Sequence, residues 1–186
     1  MKVISGKMRG MNLNSDLDRF TRPTEGKIKE AIFSVIFQVK PNSKALDLFA
    51  GSGAVGIEFI SRGCDLVVFS EASNDNIKCI NENIEHTKSQ EFAKVFKGDF
   101  KKNLLNIRRQ GLKFDYVFID PPYERLNYYK ESIQMLIDND LLNDDCLVIL
   151  ESEKELSDEY FKNLKLEKQK QYGKKKNIYF LRNDNE

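Results

Sequence analysis

The chain has 186 residues, 40% hydrophobic and 32% charged, which suits one sizeable core and excludes disordered and fibrous compositions, while the net charge of +1 says nothing about a polyanionic partner. No apolar stretch is long enough to span a bilayer and no signal-peptide pattern starts at Met1, so a cytoplasmic protein with no membrane partner is expected. Cys64, Cys79 and Cys146 read as free thiols, and with His86 as the single histidine and no Cys-x-x-Cys pair, neither a metal site nor histidine acid–base chemistry is expected.

Residues 2–14 read as a short hairpin, Val3-Ile4 and Met8 to Leu13 around a turn at Ser5-Gly6-Lys7, with Gly10 marking a bulge or close approach. A polar linker covers 15–23. Thr24 suits a helix cap, and Ile28, Ala31, Ile32, Val35 and Ile36 recur at helical spacing to about Val39, where Pro41-Asn42 breaks the helix. From Lys44 strand and helix alternate. Strands are expected at Ala45–Phe49, Asp65–Ser70, Ala93–Lys97, Phe114–Ile119 and Cys146–Glu151. Helices are expected over 54–62, from Asn74 to about Lys88, and over Phe100–Arg109 and Tyr128–Asp138, with a weak one at Ser157–Phe161. Leu164–Gln171 and Asn177–Arg182 then pair around Gly173. This predicts an α/β, doubly wound, mostly parallel seven-stranded sheet with a C-terminal antiparallel hairpin. Residues 1–40 are expected to form a hairpin-and-helix extension packed on a main domain at 41–186.

Asp120-Pro121-Pro122-Tyr123 follows the apolar run Tyr116-Val117-Phe118-Ile119. An Asp there sits outside the carboxyl end of a strand, where open α/β sheets hold ligands. Two prolines fix the following turn, remove two N–H donors and leave its carbonyls to accept. Tyr123 adds an aromatic face. Together these suit a planar group with an exocyclic NH2: two acceptors for the amine hydrogens and a ring for stacking. A plain turn ending a strand is the alternative.

Asp47-Leu48-Phe49-Ala50-Gly51-Ser52-Gly53-Ala54-Val55-Gly56 joins a strand to a helix through small residues that let backbone approach a ligand. The G-x-G-x-x-G spacing also fits nicotinamide cofactors. Asp47, however, repels a pyrophosphate at the helix N-terminus and attracts the cationic end of a phosphate-free zwitterion. Glu71-Ala72, at the next strand end, suits ribose hydroxyls. Asp99, in Gly98-Asp99-Phe100, suits an adenine amino group, with Phe100 against the ring, or a helix N-cap, or both. Ribose, adenine and an amino-acid moiety without phosphate describe S-adenosylmethionine.

Charge is uneven along the chain. Residues 1–30 carry seven Lys/Arg against four acids, residues 162–176 seven Lys against Glu167, and residues 138–160 nine acids against Lys154. Solvated surface and a nucleic-acid footprint at the basic ends both fit this pattern.

With these residues, the chain resembles class I S-adenosylmethionine-dependent, Rossmann-like methyltransferases that modify exocyclic amines. More narrowly it is similar to bacterial enzymes that methylate guanine N2 in 16S ribosomal RNA. Val3-Ile4-Ser5-Gly6-Lys7-Met8-Arg9-Gly10, Arg22-Pro23-Thr24, Lys29-Glu30-Ala31-Ile32-Phe33 and Tyr172-Gly173 carry the narrower likeness. The family more often has Arg where Lys29 stands, and 15–20 match loosely. The resemblance implies that cofactor lies on Asp47, Phe49, Ala50, Gly51, Ser52, Gly53, Glu71, Ala72, Asp99, Phe100 and Asp120. It also implies a flipped guanine held by Asp120, Pro121, Pro122 and Tyr123. Arg9, Arg19, Arg22, Thr24, Lys27, Lys174, Lys175 and Lys176 are the candidate contacts to 16S rRNA, free or within a 30S subunit or assembly intermediate. A monomer is expected. Adenine-N6 methylation of DNA or RNA shares both motifs. A glutamine-N5 methyltransferase, a nicotinamide-dependent oxidoreductase and a silent RNA-binding module are further alternatives.

Overall fold

The computed structural model describes residues 1–15, 23–173 and 175–184. Arg19, Arg22 and Lys174, the side chain of Thr24 and most of the 15–23 linker lie outside the described residues. The chain comprises two compact units, Met1–Gly98 and Asp99–Glu186. Seven strands are described, three in the first unit and four in the second. No helix among the described residues is long and apolar enough to cross a membrane.

The first unit holds α1 (Pro23–Ile36), β1 (Lys44–Asp47), α2 (Ala54–Ser61), β2 (Leu66–Glu71), α3 (Asn74–His86) and β3 (Ala93–Lys97). The strands are parallel in the order β3-β2-β1, with Ala45 opposite Val67 and Phe69 opposite Val95. Ala45, Leu46, Val67, Val68 and Phe69 have no exposed surface, as expected of parallel strands covered on both faces. β1 stops at Asp47 and not at the expected Phe49, because Leu48 and Phe49 already belong to the turn. α2 is buried all round, Glu58 and Ser61 included. The Phe33 and Phe59 rings meet edge-on at 4.8 Å, joining α1 to α2.

The expected N-terminal hairpin forms: Lys2 bridges Asn12, and the N–H groups of Val3, Gly10 and Leu13 donate to the carbonyls of Met11 (3.0 Å), Val3 (2.9 Å) and Met1 (2.6 Å). The N–H groups of its turn go to α2. Ile4 and Ser5 donate to the Glu58 carboxylate, Lys7 to the Ser61 carbonyl and Met8 to the Ser61 hydroxyl. The arms thus bond each other while the turn satisfies its backbone on a neighbouring helix. α1 begins at Pro23, which suits a first helical position, so Thr24 lies within the helix and not at its cap. The helix ends at Ile36, short of Val39, because Phe37 adopts a left-handed φ of 53°.

The second unit holds α4 (Phe100–Arg109), β4 (Phe114–Ile119), α5 (Asn127–Asp138), β5 (Leu142–Ser152), β6 (Lys165–Tyr172) and β7 (Lys176–Arg182). The weak helix expected at Ser157–Phe161 is a single 3-10 turn, Asp158–Tyr160. β5 starts earlier than the expected Cys146, because Leu142 pairs with Phe114 ahead of a register shift. Asp145, with φ 62°, lies in the β5 stretch between Leu142 and Leu147, the two partners that flank the shift. β7 is antiparallel to β5 and β6; among the described residues β6 pairs with β7 alone and is exposed along most of its length, so Lys165, Lys168 and Lys170 guard an edge strand.

Gly56 shows how tightly the glycine loop and sheet are fitted. A Cβ there would lie 2.2 Å from Cε1 of Phe69, a ring with no exposed surface. Gly56→Ala should therefore destabilise the protein by about 1–3 kcal/mol despite alanine's better helix propensity. Urea denaturation of the two proteins measures the difference.

Candidate functional site

In the first unit the site grows from the ends of β1 and β2. The chain leaves Asp47, turns through residues 48–53 and enters α2. Gly51 and Gly53 have φ of 54° and 77°, which side chains rarely tolerate. Gly53 N–H bonds the Ala50 carbonyl (2.7 Å), and Ala50 N–H bonds the Ser70 carbonyl (3.1 Å), so the turn is stitched to β2. The buried Asn83 amide of α3 donates to the Ser52 carbonyl at 3.0 Å. Gly51, Ser52 and Phe49 are half-buried, whereas Ala50 and Gly53 are buried.

Glu71, half-buried at the end of β2, is the brace. Its Oε2 accepts the Gly51 N–H at 2.8 Å, and its Oε1 accepts those of Ala72 and Ser73, each at 2.8 Å. A carboxylate has about four acceptor positions, so three backbone bonds leave Oε2 room for one more donor. Sequence reasoning placed Glu71 here for ribose hydroxyls but did not foresee its hold on the loop.

Asp47 is 2% exposed, and its Oδ2 accepts the Gly56 N–H at 3.0 Å. Burial pushes its pKa up to about 7; the Gly56 bond opposes the rise and the charge of Glu71 adds to it. Asp47 thus stands between neutral and anionic near neutral pH, and a cation brought beside it favours the anion.

In the second unit Asp99 is exposed and caps α4, its Oδ1 accepting the Lys101 N–H at 3.0 Å. Of its two sequence readings the structure displays the cap. Phe100, expected against an adenine ring, is 4% exposed and packs on Tyr128 with ring centroids 4.9 Å apart. The flat face assigned to a ligand is committed to a helix–helix contact between α4 and α5.

Asp120 follows the last residue of β4 and is half-buried. Pro121 is buried, Pro122 exposed, and Tyr123 is 67% exposed. The expectation that the turn leaves its carbonyls open holds for only part of it: the Pro122 carbonyl accepts the Arg125 N–H at 2.8 Å, closing a turn, which leaves the Pro121 carbonyl as the turn's acceptor. Parallel pairing of Ile119 with Leu150 brings Asp120 level with Glu151 at the end of β5. Tyr129 of α5 donates its hydroxyl to the Glu151 carbonyl at 2.5 Å, and Lys176 Nζ lies 2.7 Å from Glu151 Oε1 and 3.8 Å from Glu153. Burial disfavours the Lys176 ammonium, but Glu151, Asp120 and Glu153 outweigh it and hold its pKa up. Burial raises that of the Tyr129 hydroxyl.

Sequence reasoning missed Tyr129 and Glu151. The rule that singled out Asp120 and Glu71, an acid at a strand end, also fits Glu151. Of the expected RNA contacts among the described residues, Arg9, Lys27 and Lys175 are exposed, whereas Lys176 is engaged by Glu151 and Glu153.

The raised pKa of Asp47 has a consequence for stability. An unfolded carboxyl ionises near 3.8 and this one near 7, so stability is full below the lower value and falls as pH rises through the upper one. Asp47→Asn, which keeps an acceptor for Gly56, should gain about 2–4 kcal/mol on the parent between pH 4 and pH 8. Denaturation curves at those two pH values check it.

Residues 1–181 match the family model described as Conserved hypothetical protein 95. The chain is 32% identical over 156 residues to ribosomal RNA small subunit methyltransferase D of Haemophilus influenzae, covering 83% of this chain and 80% of that protein. It is 29% identical over 165 residues to the Escherichia coli protein of the same name, covering 83% and 76%. The solved structure of Escherichia coli yhhF superposes with a TM-score of 0.83 at 29% identity, over 99% of this chain and 98% of that one. The expected class I methyltransferase fold is therefore the fold of this protein. Matched along nearly its whole length and sharing 32% of the aligned residues with an assigned member, the chain belongs to the family of ribosomal RNA small subunit methyltransferase D.

Proposed function

We propose that this protein transfers a methyl group from S-adenosylmethionine to ribosomal RNA, and that the acceptor is the N2 amine of one guanine in 16S rRNA. The relatives' names support rRNA methylation. The observation that carries an exocyclic amine as acceptor is the end of β4, where Asp120, the Pro121 carbonyl and the exposed Tyr123 ring follow one another on a turn stiffened by two prolines; the choice of guanine over adenine rests on the N-terminal likeness of Val3 to Gly10 and Lys29 to Phe33.

The donor set of the first unit fits the cofactor. Asp47 and Glu71 are close enough for the charge of one to raise the pKa of the other, and residues 47–56 include no basic side chain. Two acids without a neighbouring base repel a pyrophosphate and suit a cationic amino group and a ribose. That weighs against the nicotinamide reading. Asp47, Glu71 and the backbone of residues 49–53 would hold the cofactor, which supplies an electrophilic methyl group on a cationic sulfur.

The protein's own part is positioning and fixed polarity. Asp120 and the Pro121 carbonyl each accept one amine hydrogen, drawing the nitrogen towards the tetrahedral form whose lone pair can attack. Tyr123 stacks on the base and sets its plane. The proton shed by the amine passes to Asp120 or to water. No residue of the protein need protonate a leaving group, because the cofactor would supply its methyl on a sulfur that is neutral without it. The substrate is rRNA alone or within a 30S particle, and a cytoplasmic monomer suffices.

The test is direct. Purified protein is incubated with labelled S-adenosylmethionine and 16S rRNA or 30S particles lacking the modification, and the RNA is digested to nucleosides. N2-methylguanosine is expected; N6-methyladenosine, or no labelled nucleoside, overturns the proposal. Asp120→Ala should keep cofactor affinity within about threefold while turnover falls by about 100-fold or more. Calorimetry and initial rates separate the two effects.

A further inference from the structure

The first fourteen residues are held to α2 by an unusual device. Glu58 has no exposed surface, yet its carboxylate is fully engaged. Oε2 accepts the Ile4 N–H at 2.8 Å and faces Lys29 Nζ at 3.1 Å; Oε1 accepts the Ser5 N–H at 3.0 Å and Arg62 Nε at 2.9 Å. Lys29, 2% exposed, also donates to the Lys2 carbonyl at 2.7 Å. One turn on, the Ser61 hydroxyl accepts from Met8 and donates to the Ser5 carbonyl, and the Ser61 carbonyl accepts from Lys7. Gly6 completes the fit, since a Cβ on it would lie 1.9 Å from the Ser61 carbonyl oxygen.

Such a cluster is a poor way to gain stability, because buried ion pairs lose in desolvation much of what they gain by attraction, and apolar contacts of equal volume do as well. A carboxylate shared by two successive N–H groups supplies a fixed register, which a greasy contact does not. What the register presents is a turn with Lys7 and Arg9 exposed, and beside it Lys2. None of these three side chains forms an ion pair or hydrogen bond among the described residues, whereas Lys101, Lys113, Lys165 and Lys176 all pair with acids.

We propose that the Lys29–Glu58–Arg62 cluster is a positioning device for RNA, which holds segment 1–14 so that Lys7 and Arg9 stand as preformed phosphate contacts. This rests on the rRNA reading above. Lys29 is the positioning residue whose loss separates the two roles, since it bonds both the carboxylate and the arm. Preformed contacts lose less conformational entropy on binding than the same side chains on a loose chain.

The test measures affinity of the full chain for 16S rRNA across a series of salt concentrations. The double variant Lys7→Gln/Arg9→Gln should bind about tenfold more weakly and lower the slope of log affinity against log salt by about two. Lys29→Met should lower the same slope by about one, although Lys29 itself is shielded from solvent, and should leave S-adenosylmethionine affinity within about twofold. Lys29→Arg should restore the parent slope. Adding Lys29→Met to the double variant should weaken binding by less than the product of the separate effects. An unchanged slope in Lys29→Met, or effects that multiply, overturns the inference, as does an unchanged slope in the Lys7/Arg9 variant. Failure of the parent protein to bind 16S rRNA overturns the rRNA reading itself. If Lys29→Met does not melt cooperatively, Ser61→Ala decides by the same slope, and hydrogen exchange at the Ile4 and Ser5 amides reports release of the arm.

Discussion

A single carboxylate, that of Glu71, organises the first unit's candidate site. By accepting the N–H groups of Gly51, Ala72 and Ser73 it ties the glycine turn after β1 to the end of β2. Backbone at a positive φ, as at Gly51 and Gly53, is costly to order unless its donors have fixed partners. Glu71 supplies one partner, and the Ser70 and Ala50 carbonyls supply the others. Without that brace the small residues would give flexibility in place of close approach.

Three acids in this unit show how surroundings decide what a carboxylate can do. Glu58 is wholly buried but meets two cations and two N–H groups, so every acceptor position is filled. Asp47 is almost as deep and receives one backbone bond, which does not offset desolvation. Glu71 is half-buried and keeps one acceptor position spare. The first is suited to holding structure, the second to answering a cation, and the third to doing both. The same residue chemistry thus yields three behaviours through the number of donors each meets.

In the second unit stiffness comes from proline and from a ring of groups at the strand ends. Pro121 and Pro122 fix the turn after Asp120, and the Arg125 bond to the Pro122 carbonyl closes it. Tyr129 and Lys176 hold Glu151 by its carbonyl and carboxylate. The charges of Glu151, Asp120 and Glu153 in turn hold up the pKa of the Lys176 ammonium against its burial.

Much of this was legible from sequence because it is local. Phe114–Ile119, Ala93–Lys97 and Phe100–Arg109 fall where the apolar periods put them. The glycine turn and the strand-end acids were found by residue type and spacing. What sequence did not foresee depends on partners far along the chain. The turn of the N-terminal hairpin gives its donors to Glu58 and Ser61, more than fifty residues on. Lys176 is drawn to Glu151, 25 residues away, and Phe100 turns its ring to Tyr128. Periodicity and motif spacing report which backbone a segment favours and which chemistry it carries. Only the folded chain determines which buried donors and acceptors meet, because desolvation forces each to take whatever partner the packing brings within reach.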